Sequence, residues 1–292
     1  MNIKIIVNPK AGSGKAREIG FRTEKHLCDL GIEYSLDSTF RPKGAVSLAK
    51  KATRDGFDLI IVVGGDGTVN EVANGMIGSL STLAVIPAGH HNNFAKMLGL
   101  DTKDIKSAID TALGSGTRLI DVGKINGVFF VNGIGIGLNA KAANRIEEKY
   151  QKSNRKDNYL MKILSELRGF EPPYLSIKMD DMVLYSKTAL AKIANGPFHG
   201  KGYRTVPQAL ADDGYLDVCV LNHTNKLRLL SHLPRFFGGR LKKPYPLTTF
   251  KAARITIDSK DPISAVYDGE LIETSSPFDI EVAAEKIAVK SK

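Results

Sequence analysis

The sequence predicts an α/β unit built on a parallel sheet, followed by a mostly antiparallel β-sandwich. Three observations carry this. Up to about Asp121, apolar runs alternate with helical spacing, as repeated βα units require. After Gly123, short strand candidates bounded by turn residues dominate. Between Leu59 and Glu71, five apolar residues break on Gly64-Gly65-Asp66-Gly67-Thr68 into an amphipathic helix pattern, which is how a buried parallel strand delivers a ligand-binding loop.

Taken in order, Lys4–Asn8 reads as a strand and Gly14–Leu30 as a helix with apolar positions at Ile19, Leu27 and Leu30. Tyr34–Ser38 is a short strand, Gly44–Asp55 a helix, Leu59–Val63 a strand and Val69–Ile77 a helix. Leu83–Ile86 is a strand, a helix starts near Phe94, Ile105–Leu113 is a helix and Arg118–Val122 a strand. Later strand candidates are Val128–Val131, Leu175–Met179, Met182–Tyr185, Ala189–Ile193, Leu216–Leu221, Ile255–Asp258 and Ala265–Tyr267. Helices are expected over Ala140–Gln151, Tyr159–Phe170 and Lys226–Phe236. The expected units are 1–123 and 124–277, and the last strands, near Phe278–Val282 and Ile287–Lys290 within 278–292, can belong to either unit and so return to the first.

Composition narrows the function classes. The 292 residues suffice for two domains, and 42% hydrophobic with 25% charged residues is ordinary for a globular protein. A formal net charge of +10 favours an anionic partner: a nucleotide, a membrane surface or nucleic acid. Nucleic acid is disfavoured, because there is no recognition motif, no Trp and no basic run interleaved with aromatics. Cys28 and Cys219 lie far apart and read as free thiols in a reducing compartment. The N-terminus enters a strand directly, with no signal-peptide pattern, and no apolar run suits a spanning helix. The expectation is a cytoplasmic protein that meets membranes only at its surface. Phe236–Lys243 joins two aromatics to a basic cluster suited to an anionic bilayer, or forms a solvated helix end.

The chemistry-bearing residues fall in turns. At Gly64–Thr68 backbone N–H groups and a helix N-terminus suit phosphate, whereas Asp66 would repel it. The conflict disappears if Asp66 acts through a bound Mg²⁺. Asn8–Lys15 offers glycines, a hydroxyl and two lysines after the first strand, but lacks the spacing of a P-loop. With Pro87–Asn93 these loops can converge at the C-terminal strand ends. Thr39 ends a strand, where its hydroxyl reaches a nucleotide or caps a turn. Asp121 closes another, as a Mg²⁺ group acting through water or as a turn Asp. Asp212-Asp213-Gly214 suits either a cation or a β-turn, and Tyr267-Asp268-Gly269-Glu270 is a hairpin-like turn whose carboxylate could accept a hydroxyl proton.

Together these residues resemble the diacylglycerol kinase catalytic family in its bacterial lipid-kinase branch, related to sphingosine and ceramide kinases. The matches run in order through Asn8-Pro9 with Gly12, Thr39, Gly64–Thr68 with Asn70-Glu71, Pro87-Ala88-Gly89, Asn92 with Phe94-Ala95, Asp121-Val122-Gly123, Asn132, Asn195, Asp213-Gly214 and Asp268-Gly269-Glu270. The resemblance implies an N-terminal fold like that of NAD kinases and phosphofructokinases, and γ-phosphoryl transfer from ATP, with Mg²⁺, to the hydroxyl of a diacylglycerol-like lipid. It implies nucleotide binding by Asn8, Gly12, Thr39, Gly64, Gly65, Asp66, Gly67, Thr68, Val69, Asn70, Glu71 and the residue at His90. Asp66 and Asp121 would join the Mg²⁺–water network, and Glu270 with Asp268 would activate the lipid hydroxyl. Leu210, Asp213 and Tyr215 would hold a second, structural Mg²⁺. The chain is compatible with a homodimer. One loop departs from the family's Pro-x-Gly-Thr-x-Asn-Asp-Phe-Ala: His90 stands where the family has Thr, and Asn93 where it has Asp. An imidazole N–H can itself donate to phosphate. The departures leave two alternatives, an impaired relative that binds nucleotide or lipid, and a kinase for a soluble metabolite.

Overall fold

The computed structural model describes residues 1–138, 140, 169–200, 202–222, 247–272 and 276–292. The expected helices near 140–151, 159–170 and 226–236, and the 236–243 patch, lie almost wholly outside the described residues. The chain forms two compact units, Met1–Val122 with Ala283–Lys292, and Gly123–Val282. Among the described residues no helix is long and apolar enough to cross a membrane.

In the first unit β1 (Ile3–Val7), β2 (Tyr34–Ser38), β3 (Leu59–Gly64) and β4 (Thr82–Pro87) alternate with α1 (Lys15–Asp29), α2 (Gly44–Arg54) and α3 (Asp66–Met76). Then come α4 (Asn93–Met97), α5 (Ile105–Leu113) and β5 (Thr117–Ile125). The spatial order is β2-β1-β3-β4, all parallel. Every residue of β1 and β3 is buried, which is why these strands read as unbroken apolar runs rather than alternating ones. Asp104 caps α5 by accepting from the Ser107 N–H at 3.0 Å.

The second unit adds β6 (Val128–Phe130), β7 (Gly133–Gly137), β8 (Tyr174–Met179), β9 (Met182–Ala194), β10 (Leu216–Asn222), β11 (Leu247–Ala252), β12 (Arg254–Ser259), β13 (Ala265–Tyr267), β14 (Glu270–Ile272) and β15 (Phe278–Lys290). One antiparallel sheet has the order β14-β13-β7-β9-β10-β11. The other has β9-β8-β12-β15. Ile134, Ile193, Val218 and Ala265 of the first sheet share one core with Ile177, Ile255, Ile257 and Phe278 of the second. Strand β15 ends in the first unit, where Val289 pairs in parallel with Leu83 of β4.

Two pairs of expected strands are single strands. Met182–Tyr185 and Ala189–Ile193 are both parts of β9, whose first half pairs with β8 and whose second half pairs with β7 and β10. The first half has a solvated face and the second is buried throughout, so the hydrophobic pattern changes in mid-strand. Phe278–Val282 and Ile287–Lys290 are likewise parts of β15, whose exposed middle, Ala284–Lys286, hides its continuity. The pattern also missed β7, β11 and β14. Three glycines in the five residues of β7 mask its strand character.

Helices α2 and α3 cross closely because Gly75 has no side chain. A Cβ there would lie 2.5 Å from the Val46 carbonyl oxygen and 2.7 Å from the Ala49 Cβ. The contact is against backbone, so the helices must separate to admit a methyl group. Gly75→Ala should therefore destabilise the protein by about 1–3 kcal/mol, the usual cost of overpacking. A lowered urea midpoint checks this, and an unchanged midpoint would show that the helices shift freely.

Candidate functional site

In the first unit the three loops at the ends of β1, β3 and β4 meet. The Asn8 backbone N–H donates to the Val63 carbonyl at 3.0 Å, and its side-chain amide donates to the Thr68 hydroxyl at 2.9 Å. Ser13 Oγ and His90 Nε2 lie 3.2 Å apart, joining the first loop to the third. Gly12 has φ +60°, and a Cβ there would sit 2.2 Å from the Ala88 carbonyl oxygen. Only glycine fits this position on both counts. Within the third loop, the Asn92 side chain accepts from the Gly89 N–H at 2.8 Å and donates to its carbonyl at 3.0 Å. These contacts bring the three loops together at the start of α3. Gly67 is exposed, and a Cβ there would meet no atom within 4 Å. Thr39 is buried beside this region, its N–H donating to the Val7 carbonyl at 2.8 Å. Gly64 and Val69 are buried, Asn70 accepts from the Asn74 amide at 3.1 Å, and the Gly65 carbonyl accepts from the Val69 N–H at 3.0 Å.

Three acidic residues are engaged inside this unit. Asp66 Oδ1 accepts from the Phe94 N–H at 3.0 Å, and Oδ2 accepts from the Asn93 amide at 3.2 Å. Asp66 thus bonds the start of α4, and Asn93 satisfies a carboxylate that an Asp at 93 would face with like charge. Glu71 is turned from the loops to the start of α2, where its two oxygens accept from the Lys43 N–H at 3.1 Å and the Ala45 N–H at 3.0 Å. Its charge suits that helix N-terminus. Asp121 is fully buried and paired with Lys286 at 2.7 Å.

In the second unit the Asp-Gly-Glu turn divides its labour. Asp268 gathers three consecutive backbone N–H groups: Oδ2 accepts from Val131 at 2.7 Å, and Oδ1 accepts from Asn132 at 3.0 Å and Gly133 at 2.9 Å. It holds the entry to β7. Glu270 accepts a hydrogen bond from the Tyr267 hydroxyl at 2.9 Å. Burial, reinforced by this bond, raises the Tyr267 pKa, so the phenol stays a donor. Tyr267 was not foreseen.

The Asp213 region has a cation of its own. Asp213 Oδ1 accepts from the Tyr215 N–H at 3.1 Å, and Oδ2 is paired with the Lys251 ammonium. The same ammonium lies 4.0 Å from Asp217. Burial raises the Asp217 pKa. Leu210 and Tyr215 are exposed. The Lys251 ammonium thus lies at the carboxylate for which the resemblance implies a second Mg²⁺, with Leu210 and Tyr215 contributing backbone carbonyls. No group of three or more His, Cys, Asp or Glu poised for a metal exists among the described residues.

Sequence reading also passed over Lys192 and His199. The signal for Lys192 was a lone charge within an otherwise apolar run, Ala189–Ala194. His199 Nε2 lies 3.1 Å from the Asn132 carbonyl, which can only accept, so Nε2 carries the proton. Nδ1 then accepts from the Thr205 hydroxyl at 3.0 Å. Burial, with the Lys192 charge, holds the His199 pKa well below the usual histidine range.

Comparison with known proteins agrees with this anatomy. Residues 2–125 match the family described as the diacylglycerol kinase catalytic domain, and residues 132–290 match the YegS C-terminal NAD kinase beta sandwich-like domain. A diacylglycerol kinase from Bacillus subtilis (strain 168) is 30% identical over 91% of this chain and 89% of its own length. One from Mycobacterium tuberculosis (strain H37Rv, ATCC 25618) is 26% identical over 99% of this chain and 94% of its own. A crystal structure of a diacylglycerol kinase from Bacillus anthracis (strain Sterne) superposes with a TM-score of 0.78 at 25% identity, covering 100% of this chain and 97% of that one. With both units matched and the relatives covered nearly end to end, the chain belongs to the bacterial diacylglycerol kinase family of lipid kinases.

Proposed function

We propose that this lipid kinase transfers the γ-phosphoryl group of ATP to the hydroxyl of a diacylglycerol-like lipid in a Mg²⁺-dependent reaction. The observation that carries the nucleotide half is the meeting of three strand-end loops held by Asn8–Thr68, Ser13–His90 and the Gly12–Ala88 approach. Its N–H groups and the start of α3 suit the phosphates, with the exposed Gly67 leaving the backbone accessible there and Thr39, Gly64 and Gly65 beside it. His90 stands beside Ser13 as a donor to phosphate. Mg²⁺ would neutralise charge on the transferring group, and Asp66 is the carboxylate assigned to it, with the buried Asp121 as a second charge of its network.

Glu270 is the carboxylate that accepts the lipid hydroxyl's proton. The Tyr267 hydroxyl fixes one of its oxygens. Asp268 is a positioning residue, since its oxygens are given to the backbone of Val131–Gly133. The lipid is reached from an anionic membrane surface, in keeping with the net charge of +10. A second reading, a relative that binds nucleotide without efficient transfer, is favoured by the Asn93–Asp66 contact, where the carboxylate meets an amide.

The decisive assay is incubation with γ-labelled ATP, Mg²⁺ and diacylglycerol in mixed micelles, followed by lipid extraction. Labelled lipid is expected, and its absence with ATP still bound would favour the second reading. Glu270→Gln should lower turnover by about 10²–10⁴-fold while nucleotide affinity stays level. A collapse of nucleotide affinity instead would put the turn in the nucleotide pocket. Asp268→Ala should behave differently, costing about 3 kcal/mol or more of stability by orphaning buried N–H groups bonded to a charge. Urea denaturation of the two variants separates these roles, and equal stability would refute the division.

A further inference from the structure

The two halves of β9 are covered differently. Its second half pairs with both β7 and β10. Its first half, Met182–Lys187, pairs with β8. Among the described residues no other strand pairs with that half, because β10 ends at Asn222, opposite Thr188. The far side of Met182–Lys187 is therefore a sheet edge, with backbone donors and acceptors in strand geometry.

Sheet edges are commonly protected by charge, proline or a bulge. From Met182 to Ser186 this edge reads Met-Val-Leu-Tyr-Ser, and its register against β8 is unbroken. Met182 is 47% exposed, Val183 45% and Tyr185 79%. Alternation puts Val183, Tyr185 and Lys187 on the outer face, beside Tyr174 and Lys178 of β8, and turns Leu184 toward the core.

This outer row is apolar in the middle and charged at its ends. Lys187 lies over the Tyr174 ring at 5.7 Å and makes no ion pair with any described residue. At the other end the two turn carboxylates differ. Asp180 accepts from the Ala253 N–H at 3.2 Å and the Arg254 N–H at 2.9 Å. Asp181 is exposed and makes no hydrogen bond or ion pair with any described residue.

The pattern is complementary to itself. An antiparallel copy related by a two-fold axis at Leu184 sets Leu184 opposite Leu184, Val183 opposite Tyr185, and Asp181 opposite Lys187. Directly opposed residues share a face, so both outer rows stay outermost. Apolar side chains meet at the centre, and cation meets carboxylate at both ends. Moving the axis to Tyr185 would bring Lys187 against Val183 and leave Asp181 without a cation.

We propose that this chain forms a symmetric homodimer in which the Met182–Lys187 edges of two copies pair antiparallel, joining their β9-β8-β12-β15 sheets into one. The proposal goes beyond the kinase reading and does not depend on it, since the readout is association and not turnover.

The test is sedimentation velocity of the full chain over a dilution series. The wild type should show a reversible monomer–dimer equilibrium. Lys187→Asp and Asp181→Lys each set like charges opposite one another at both ends, and each should shift the equilibrium roughly tenfold or more toward monomer. Combining Asp181→Lys with Lys187→Asp restores both pairs in reversed sense and should return dimerisation to the wild-type level. A folding defect in the single variants would not produce that recovery. Tyr185→Lys should be monomeric with unchanged far-UV circular dichroism, because the side chain is exposed in one copy. A wild type that stays monomeric throughout would overturn the proposal. A double variant no better than the singles would refute the register, and a dimer that survives Tyr185→Lys would place the interface elsewhere.

Discussion

Strand β1 lies between β2 and β3, and much of the first unit follows from that placement. The chain leaves β1 in one direction to build β2 and returns on the other side to build β3. At such a reversal neighbouring crossovers run to opposite sides, and the loops leave a crevice at the carboxyl ends of the strands. The loops after β1 and β3 meet there through Asn8, and the loop after β4 closes in through Gly12 and Ala88. Main-chain geometry, rather than any charged side chain, gives the site its shape. That suits phosphate, whose oxygens are well served by N–H groups already fixed in place.

This explains why these loops are readable in the sequence. A fully buried parallel strand must be a continuous apolar run, and Leu59–Val63 is one. Glycines immediately after such a run have few uses besides close backbone approach. The side-chain partners were less readable, because they are set by tertiary distance. Nothing near Glu71 in the sequence shows that its oxygens go to the start of α2. Nor does the spacing of Asp213 reveal that Lys251, 38 residues on, supplies its cation. In β9 the pattern failed for a different reason: one strand serves two sheets, and its exposure changes where it passes between them.

Buried charge is handled in three ways in this chain. Asp121 is neutralised by Lys286 within the same unit. Asp217 lies near Lys251, which is committed mainly to Asp213. Lys192 feels the charge of Asp268, which also accepts from the backbone, against the burial that lowers its pKa. The first two arrangements keep opposite charges in contact, which offsets part of the desolvation cost. In the third the offset comes through the field of the opposite charge, and the lowered pKa records that burial outweighs it.

The same reasoning makes sense of the altered third loop. Replacing a carboxylate by the Asn93 amide changes what Asp66 sees from a like charge to a donor at 3.2 Å. Two carboxylates at that distance would need a cation or a shared proton to coexist. One carboxylate bonded to an amide and to the Phe94 N–H is stable alone. Asp66 therefore ties the start of α3 to the start of α4. His90, exposed and next to Ser13, lies on the side of this loop that meets the loop after β1. The residues at 90 and 93 thus act on different parts of the loop, one joining it to its neighbour and the other setting its internal charge balance.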